Sequence, residues 1–218
     1  MALLKQYKLP FGVSTCYTSA NVQDVSSERY FDQMIRDGAL FAWFFHYMPV
    51  GNEAAPVLLP SADQRAWMIQ QIRGFRKTKP IFTIDFQNDA EYVGGCIAGG
   101  RRYLHINANG DVDPCVFIHY SNVNIREHTL LKALQSPLFM AYYHNQPFNE
   151  NMLRPCPMLE NPEILPRLVK QSGAVSTDLQ SPESAEHLCA KCQNYAQVWA
   201  VRSQQIANEL HPQGNSDK

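Results

Sequence analysis

The first ninety residues alternate between short apolar runs and amphipathic stretches. Residues 11–17 form a short apolar and β-branched run, residues 40–48 are apolar almost without interruption, and residues 81–86 form a third run. In the two stretches between them, apolar positions recur at helical spacing. Ser26-Ser27 and Ser61 can cap the starts of the two helices, and Gly38 stands where a left-handed residue closes the first. The pattern predicts strand, helix, strand, helix, strand, with parallel strands joined by right-handed connections.

Such an order is typical of a β/α barrel or of a doubly wound sheet. A closed barrel requires about eight strands, so residues 1–93 are interpreted as an α/β fold, a partial (β/α) barrel of about three parallel strands. The run at residues 40–48 predicts a strand buried on both faces. Cys16, inside the first apolar run, is expected to be a small buried hydrophobe.

The pattern changes after residue 93. Residues 103–107 alternate, Asn109-Gly110 is a strong signal for a hairpin turn, and Val112 begins the return strand. Two short helices are predicted on either side of Ser136-Pro137, where proline breaks the helical face.

A proline-rich loop is predicted over residues 145–166. Ser181-Pro182-Glu183-Ser184 resembles a helix start with proline in the first turn, and a final helix to about Leu210 completes this half of the chain. Residues 94–210 are thus interpreted as a small α+β cysteine-rich domain, and the polar residues 211–218 as a disordered tail.

Charge and composition argue against several classes of function. The 218 residues carry a formal net charge of −1 without a block of Lys or Arg, so nucleic acid is not an expected partner. No apolar run approaches the roughly 20 residues of a membrane-spanning helix, and no membrane partner is expected. Without a recognisable secretory leader, the expected location is the cytoplasm, where cysteines stay reduced.

Five of the six cysteines follow residue 95. Cys96 and Cys115 bracket the predicted hairpin, whose turn brings their thiolates near one metal centre. Cys189 and Cys192 form a C-x-x-C pair, a spacing that lets two sulfurs reach one metal or one cluster. Cys156, held between two prolines, is a fifth candidate ligand. Spacing alone does not separate zinc from iron-sulfur chemistry, and structural zinc is its commoner use.

The segment GCIAGG at 95–100, continuing through HINANGDVDPC at 105–115, resembles the SPASM or twitch auxiliary domain of radical S-adenosylmethionine enzymes. The resemblance extends upstream through residues 11–14 and 45–51, which look like later strands of the radical barrel, and downstream to the final C-x-x-C pair. It implies a 4Fe-4S auxiliary cluster, with His46 and Tyr47 as candidate cofactor-binding residues at the barrel mouth. Asp85, Asn88 and Asp89 are further mouth candidates or solvated loop residues.

Two features depart from that family. The motif C-x-x-x-C-x-x-C, which holds the radical-generating cluster, is absent from the sequence, and five cysteines replace the seven of a full SPASM domain. The resemblance therefore implies a C-terminal fragment of a radical enzyme that binds one auxiliary cluster and is inactive alone. S-adenosylmethionine would bind only in a full-length or completed enzyme, whose substrate is a peptide or a small molecule.

Two alternatives remain open at this point. The chain could be a non-enzymatic zinc-binding module. It could also be a half-enzyme, completed by a partner chain that supplies the N-terminal half of the barrel and the missing cysteine motif. The unpaired edge of an incomplete sheet motivates the second alternative.

Overall fold

A computed structural model describes residues 1–210, and the predicted tail at 211–218 lies outside the described residues. The chain divides into two compact units. The first comprises residues 1–47, 57–89 and those from 201 onward, and the second comprises residues 48–56 and 90–200. The domain boundaries given above stay a prediction. No helix in the described part of the chain has the length and apolar character needed to cross a membrane.

The first unit is built on a sheet of three parallel strands in the order β1-β2-β3, which confirms the predicted parallel arrangement. Its strands are β1 (Gly12–Tyr17), β2 (Phe41–His46) and β3 (Phe82–Asp85). Its helices are α1 (Ala2–Gln6), α2 (Val22–Val25), α3 (Glu28–Asp37) and α4 (Ala62–Thr78). The short helices α1 and α2 were not predicted, because the pattern of apolar residues along the sequence does not indicate them.

The ends of α3 and α4 follow the predicted chemistry. The hydroxyl of Ser27 accepts a hydrogen bond from the backbone N–H of Tyr30, and Gly38 closes α3 with a left-handed φ of 92°. At α4, Ser61 and Gln64 form a reciprocal capping box. These local bonds satisfy backbone groups that the helices leave without a partner.

The core of the first unit lies on one face of the sheet. It contains aromatic and aliphatic side chains from β1, β2, α3 and α4, and Phe31 stacks on Phe44 with ring centroids 5.5 Å apart. The strand β2 alternates, because Ala42 and Phe44 are fully buried whereas Trp43 is half-buried. The prediction that β2 is buried on both faces is therefore wrong for Phe41, Trp43 and Phe45, which lie on the less buried face.

The prediction for Cys16 is also wrong. The pleat of β1 turns Thr15 and Tyr17 into the core and leaves Cys16 exposed. Successive side chains of a strand point to opposite faces, so a residue inside an apolar run can still lie outside the core.

Polar side chains form a buried network at the carboxyl end of the sheet. The side-chain amide of Asn88 donates hydrogen bonds of 2.9 Å to Tyr17 Oη and to Asp85 Oδ1. Arg65 Nε donates to Asn88 Oδ1 at 2.7 Å. Asp85 and Asn88 are each 2% exposed, so the alternative of solvated loop residues is wrong for both. Asp89 forms a 2.6 Å ion pair with Arg76.

The second unit consists of short elements joined by ordered loops. Its helices are α5 (Ala90–Val93), α6 (Leu130–Leu134), α7 (Pro137–Asn145), α8 (Ile164–Ser172), α9 (Ala185–Ala190) and α10 (Gln193–Leu210), of which α10 continues past residue 200. Its strands are β4 (His105–Ile106), β5 (Val112–Asp113), β6 (Tyr120–Ser121) and β7 (Val175–Ser176). The two helices around Ser136-Pro137 and the helices flanking the C-x-x-C pair confirm the sequence pattern.

The predicted hairpin is present as β4 and β5, with His105 opposite Asp113. Its loop is wider than a two-residue turn. Asn107 Oδ1 accepts backbone N–H bonds from Asn109 and Asp111, and Gly110 has a φ of 91°. The pair β6 and β7 was not predicted, because strands of two residues show too little periodicity. The helix α8 was also missed, and the loop predicted over residues 145–166 is wrong at its end, because α8 begins at Ile164.

We expect the Phe44→Ala variant to lose about 3–5 kcal/mol of unfolding free energy, since the ring is 0% exposed and leaves a cavity. The matched control is Phe82→Ala, on β3, where the ring is 69% exposed and the loss should stay within about 0.5 kcal/mol. Chemical denaturation measures both values. Equal losses in the two variants would show that the core is not where the structure places it.

Burial raises the pKa of Asp85 to about 7, although the hydrogen bond from Asn88 and two arginines act in the opposite direction. In the unfolded chain the carboxyl titrates near its ordinary value of about 3.9. The contribution of Asp85 to stability is therefore fully present below about pH 4 and is lost as the pH rises through about 7.

The Asp85→Asn variant, which stays uncharged, should lack that component of the pH dependence. We expect the unfolding free energy of the wild type to fall between pH 4 and 7 relative to that of Asp85→Asn. Above pH 7 the two pH profiles should run parallel. Asp63→Asn, at a side chain 88% exposed, is the control and should follow the wild type. Curves for Asp85→Asn and the wild type that are parallel throughout would contradict the assignment.

Candidate metal centre

All five candidate cysteine ligands lie in the second unit. Cys96 follows α5, Cys115 comes two residues after β5, and Cys156 lies in the loop between α7 and α8. Cys189 lies within α9, and Cys192 occupies the break between α9 and α10. Their thiols are free, and Cys115, Cys189 and Cys192 are buried whereas Cys96 and Cys156 are half-buried. The unit thus encloses an unusual number of reduced sulfurs.

The base of the hairpin region brings Cys96 and Cys115 into the same neighbourhood. The backbone N–H of Gly99, three residues after Cys96, donates a 3.0 Å hydrogen bond to the carbonyl oxygen of Pro114. The two thiols influence each other electrostatically, because the charge of Cys96 raises the pKa of Cys115. The sequence predicted that these two residues approach each other, and the backbone bond provides the physical means.

Backbone N–H groups point at three of the cysteine sulfurs. Leu159 N lies 3.5 Å from the sulfur of Cys156. The backbone N–H of Ala98 donates a hydrogen bond to the sulfur of Cys96, and that of Phe117 donates one to the sulfur of Cys115. Donors of this kind favour the thiolate form of a cysteine and tune the metal or cluster that it binds.

Burial nevertheless raises the pKa of each of these thiols. The pKa of Cys96 rises to about 11, and those of Cys115 and Cys192 rise to about 12. The pKa values of Cys156 and Cys189 are raised as well. Without a bound cation the five sulfurs are therefore neutral thiols, and a positively charged centre is what would make their ionisation favourable.

Glu160 borders the same region from the loop that carries Cys156. It is 0% exposed, and its carboxylate accepts a 2.7 Å hydrogen bond from the backbone N–H of Cys156. Its charge raises the pKa of Cys96, Cys156 and Cys192. Because one carboxylate influences all three thiols, Cys192 lies in the same region as Cys96 and Cys156, which are far from it in sequence.

Tyr142, a residue of α7, is buried in the same region. Its side chain is 0% exposed, and within residues 1–210 no hydrogen-bond partner reaches its hydroxyl. Burial raises the pKa of Tyr142, and so do the charges of four cysteines, which are Cys96, Cys156, Cys115 and Cys189. An unpartnered buried hydroxyl among four thiols indicates that a polar group belongs at this place.

An ion pair connects the two ends of α9, the helix that carries Cys189, because Glu183 precedes this helix and Lys191 follows it. The ammonium group of Lys191 donates to Glu183 Oε2 at 2.9 Å and to the carbonyl oxygen of Gly51 at 2.7 Å. Glu183 also accepts from the backbone N–H of Gly51 at 2.7 Å. These bonds fix the end of α9, where Cys189 and Cys192 stand.

In the part of the chain that the structure describes, no group of three or more His, Cys, Asp or Glu side chains could hold a single metal ion. A structural zinc ion needs four ligand atoms that all contact one ion. The thiolates of a 4Fe-4S cluster bind separate iron atoms, and an all-thiol donor set with N–H groups aimed at the sulfurs fits this larger group.

His46 and Tyr47, the predicted cofactor-binding pair, lie in the first unit. His46 is 0% exposed, and its Nδ1 donates a 2.6 Å hydrogen bond to the carbonyl oxygen of Tyr47. Burial lowers the pKa of His46 well below its ordinary value, and the charge of Arg65 acts in the same direction. The ring is a neutral imidazole packed edge-on against Tyr17, and its role toward a cofactor stays a prediction.

Sequence reasoning missed Tyr142 and Glu160. Neither residue belongs to a spaced motif, and each reaches the cysteines only through the packing of its loop or helix. One signal was present in Gly99-Gly100, which follow Cys96 closely. A Cβ atom on Gly99 would lie 2.5 Å from Cβ of Tyr142, so the glycine indicated that another element approaches there.

Comparison with known proteins gives one match to a family and several to solved structures. Residues 96–158 match SPASM, an iron-sulfur cluster-binding domain. No curated protein matches the chain. Native anSMEcpe with bound AdoMet and Cp18Cys peptide is 16% identical, with 95% of this chain and 60% of that chain covered and a TM-score of 0.43. Hexahistidine-tagged anSMEcpe with bound AdoMet is 15% identical, with 95% and 57% covered and a TM-score of 0.45.

The chain spans about 57–60% of the length of these solved structures. The matched segment contains Cys96, Cys115 and Cys156 and ends before the C-x-x-C pair. The resemblance predicted from the cysteine hairpin is therefore confirmed for residues 96–158, which are similar to SPASM, an iron-sulfur cluster-binding domain.

Proposed function

We propose that the second unit binds one auxiliary 4Fe-4S cluster. The observation that carries the proposal is the gathering of reduced cysteines around the buried hydroxyl of Tyr142, within and beside the segment similar to SPASM. Thiols with raised pKa values are costly to ionise in an apolar interior, and iron supplies the charge that makes their ionisation favourable.

Cys96, Cys115 and Cys156 are the first three proposed ligands, because backbone N–H groups point at each of their sulfurs. Cys189 is the proposed fourth ligand. Its charge raises the pKa of Tyr142 together with those of the other three, whereas the pKa of Cys192 is raised by burial and then by Glu160, with Lys191 acting in the opposite direction. Cys192 would then be a neighbouring thiol that the cluster does not require.

A 4Fe-4S cluster supplies one-electron redox chemistry or an iron atom that can anchor a substrate. The contribution of the chain is to hold and surround it. The backbone N–H groups orient the thiolates, and the buried side chains of Tyr142 and Glu160 determine how polar the surroundings are.

We also propose that β1, β2 and β3 are later strands of a partial (β/α) barrel. Within residues 1–210, β1 and β3 are the edges of their sheet, and each pairs only with β2. The 218 residues contain no C-x-x-x-C-x-x-C motif, so three thiolates for a radical-generating cluster must come from elsewhere. The chain would then be a fragment that is inactive alone, or a half-enzyme completed by a partner chain.

In either form, S-adenosylmethionine would bind in the completed barrel, and the substrate would be a peptide or a small molecule. His46, at the carboxyl end of β2, is the proposed residue of the barrel mouth. The rival proposal is a zinc-binding module, which the spacing of the cysteines also permits.

Anaerobic reconstitution of the full chain with iron and sulfide tests the cluster. We expect about four iron atoms per chain and a broad brown absorption for the wild type. The variants Cys96→Ala, Cys115→Ala, Cys156→Ala and Cys189→Ala should each bind less iron than the wild type, because each lacks one of the four proposed thiolate ligands. Cys16→Ala, at the exposed cysteine of β1, is the matched control and should load iron as the wild type does.

Iron and sulfide analysis together with zinc analysis decides between the proposals. A colourless chain that binds about one equivalent of zinc and no iron would favour the zinc module. If Cys189→Ala loads iron fully and Cys192→Ala loses iron, the fourth ligand is Cys192 and not Cys189. The assignment of a cluster to this unit would still stand.

The proposed inactivity of the isolated chain has its own test. We expect the reconstituted chain, given S-adenosylmethionine and dithionite, to release no 5′-deoxyadenosine, because no three-thiolate motif holds a cluster with an open iron site. Chromatography of the reaction mixture measures this product. Its formation in amounts that depend on the enzyme would overturn the proposal that radical generation needs residues beyond these 218.

A further inference from the structure

The hydroxyl of Tyr142 is the feature of this region that the proposed ligand set leaves unexplained. The side chain is 0% exposed, and among residues 1–210 nothing donates a hydrogen bond to its oxygen or accepts one from it. Its ring packs edge-on against Phe148, with centroids 5.3 Å apart. A phenylalanine would make the same ring contact without the cost of burying an unpaired polar group.

The position of Tyr142 depends on a close approach of α7 to the loop after Cys96. Gly99 has a φ of 67°, and a Cβ atom on it would lie 2.5 Å from Cβ and 2.7 Å from Cγ of Tyr142. The same glycine donates its backbone N–H to Pro114, the residue before Cys115. The absence of a side chain at residue 99 therefore lets the tyrosine reach the base of the cysteine hairpin.

Thiols from four separate stretches of sequence influence the hydroxyl of Tyr142. Tyr142 interacts electrostatically with Cys96, Cys156, Cys115 and Cys189, which are the four proposed ligands. A phenol is a good hydrogen-bond donor, and a cluster bound by these thiolates offers sulfur acceptors with negative charge.

We propose that Tyr142 Oη donates a hydrogen bond to a sulfur of the bound auxiliary cluster and thereby raises the reduction potential of that cluster. The inference rests on the proposed function. Reduction adds one electron, and so one negative charge, to the cluster and its thiolates. A donor stabilises the reduced form more than the oxidised form, because its hydrogen bond strengthens as the acceptor becomes more negative.

The test compares the reconstituted full-length wild type with Tyr142→Phe and Tyr143→Phe. Tyr143 is the matched control, because it is the next residue of α7 and its side chain is 72% exposed. Redox titration followed by electron paramagnetic resonance of the reduced cluster measures the midpoint potential. We expect a shift to more negative potential in Tyr142→Phe and no shift in Tyr143→Phe.

Two further measurements separate the hydrogen bond from a general packing effect. In the metal-free chain, Tyr142→Phe should melt at the same temperature as the wild type or higher, whereas in the cluster-loaded chain it should melt lower. Replacing Tyr142 by a fluorinated tyrosine, a stronger donor of similar shape, should shift the potential in the positive direction.

The outcomes distinguish the two proposals. If the wild type takes up neither iron nor sulfide, the cluster assignment fails, and the role of Tyr142 fails with it. If the wild type and Tyr142→Phe load equally and share one midpoint potential, the cluster assignment stands and the role of Tyr142 is overturned. A fall in melting temperature of the same size with and without the cluster would also overturn that role.

Discussion

The second unit depends on the placement of five cysteine sulfurs in an environment that disfavours their charge. Burial raises the pKa of each thiol, and the nearby carboxylate of Glu160 raises three of them further. A protein interior tolerates such a set either as neutral thiols or as thiolates around a positive centre. Backbone N–H groups point at the sulfurs of Cys96, Cys115 and Cys156, which would favour the second state and supports the cluster proposed for this unit.

The same constraint explains why the unit has so little regular secondary structure. Its strands are two residues long, and much of its chain runs as ordered loops held by side-chain to backbone bonds. Asn161 is an example, since its side-chain amide donates to the carbonyl oxygens of Arg154 and Cys156. Loops that bring ligands from distant parts of a sequence must satisfy their backbone groups in this way, because they have no ladder or helix to do so.

The sequence predicted the larger elements because their signals are local. The serine caps at Ser27 and Ser61, the left-handed glycine at Gly38 and the break at Ser136-Pro137 each act within a few residues, and the structure contains all of them. The cysteine hairpin was also predictable, although its loop is wider than the two-residue turn that Asn109-Gly110 indicated, and its strands pair His105 with Asp113.

The remaining features depend on packing between segments far apart in sequence. Cys16 was placed in the core because the apolar run around it hid the alternation of the strand. The sequence left open that Asp85 and Asn88 are solvated loop residues, because Arg65, which donates a hydrogen bond to Asn88, comes from a different element. Tyr142 reaches the sulfurs only because α7 packs against a glycine more than forty residues earlier.

That contact has a consequence for comparison with related sequences. The backbone at residue 99 and the aromatic ring at residue 142 occupy adjoining space, and a methyl group on the first would collide with the second. The nearest atom is Cβ of Tyr142, at 2.5 Å, which every residue except glycine carries, and the φ of 67° at Gly99 also disfavours any other residue. In an alignment of relatives we expect glycine at position 99 even where position 142 carries a side chain smaller than tyrosine.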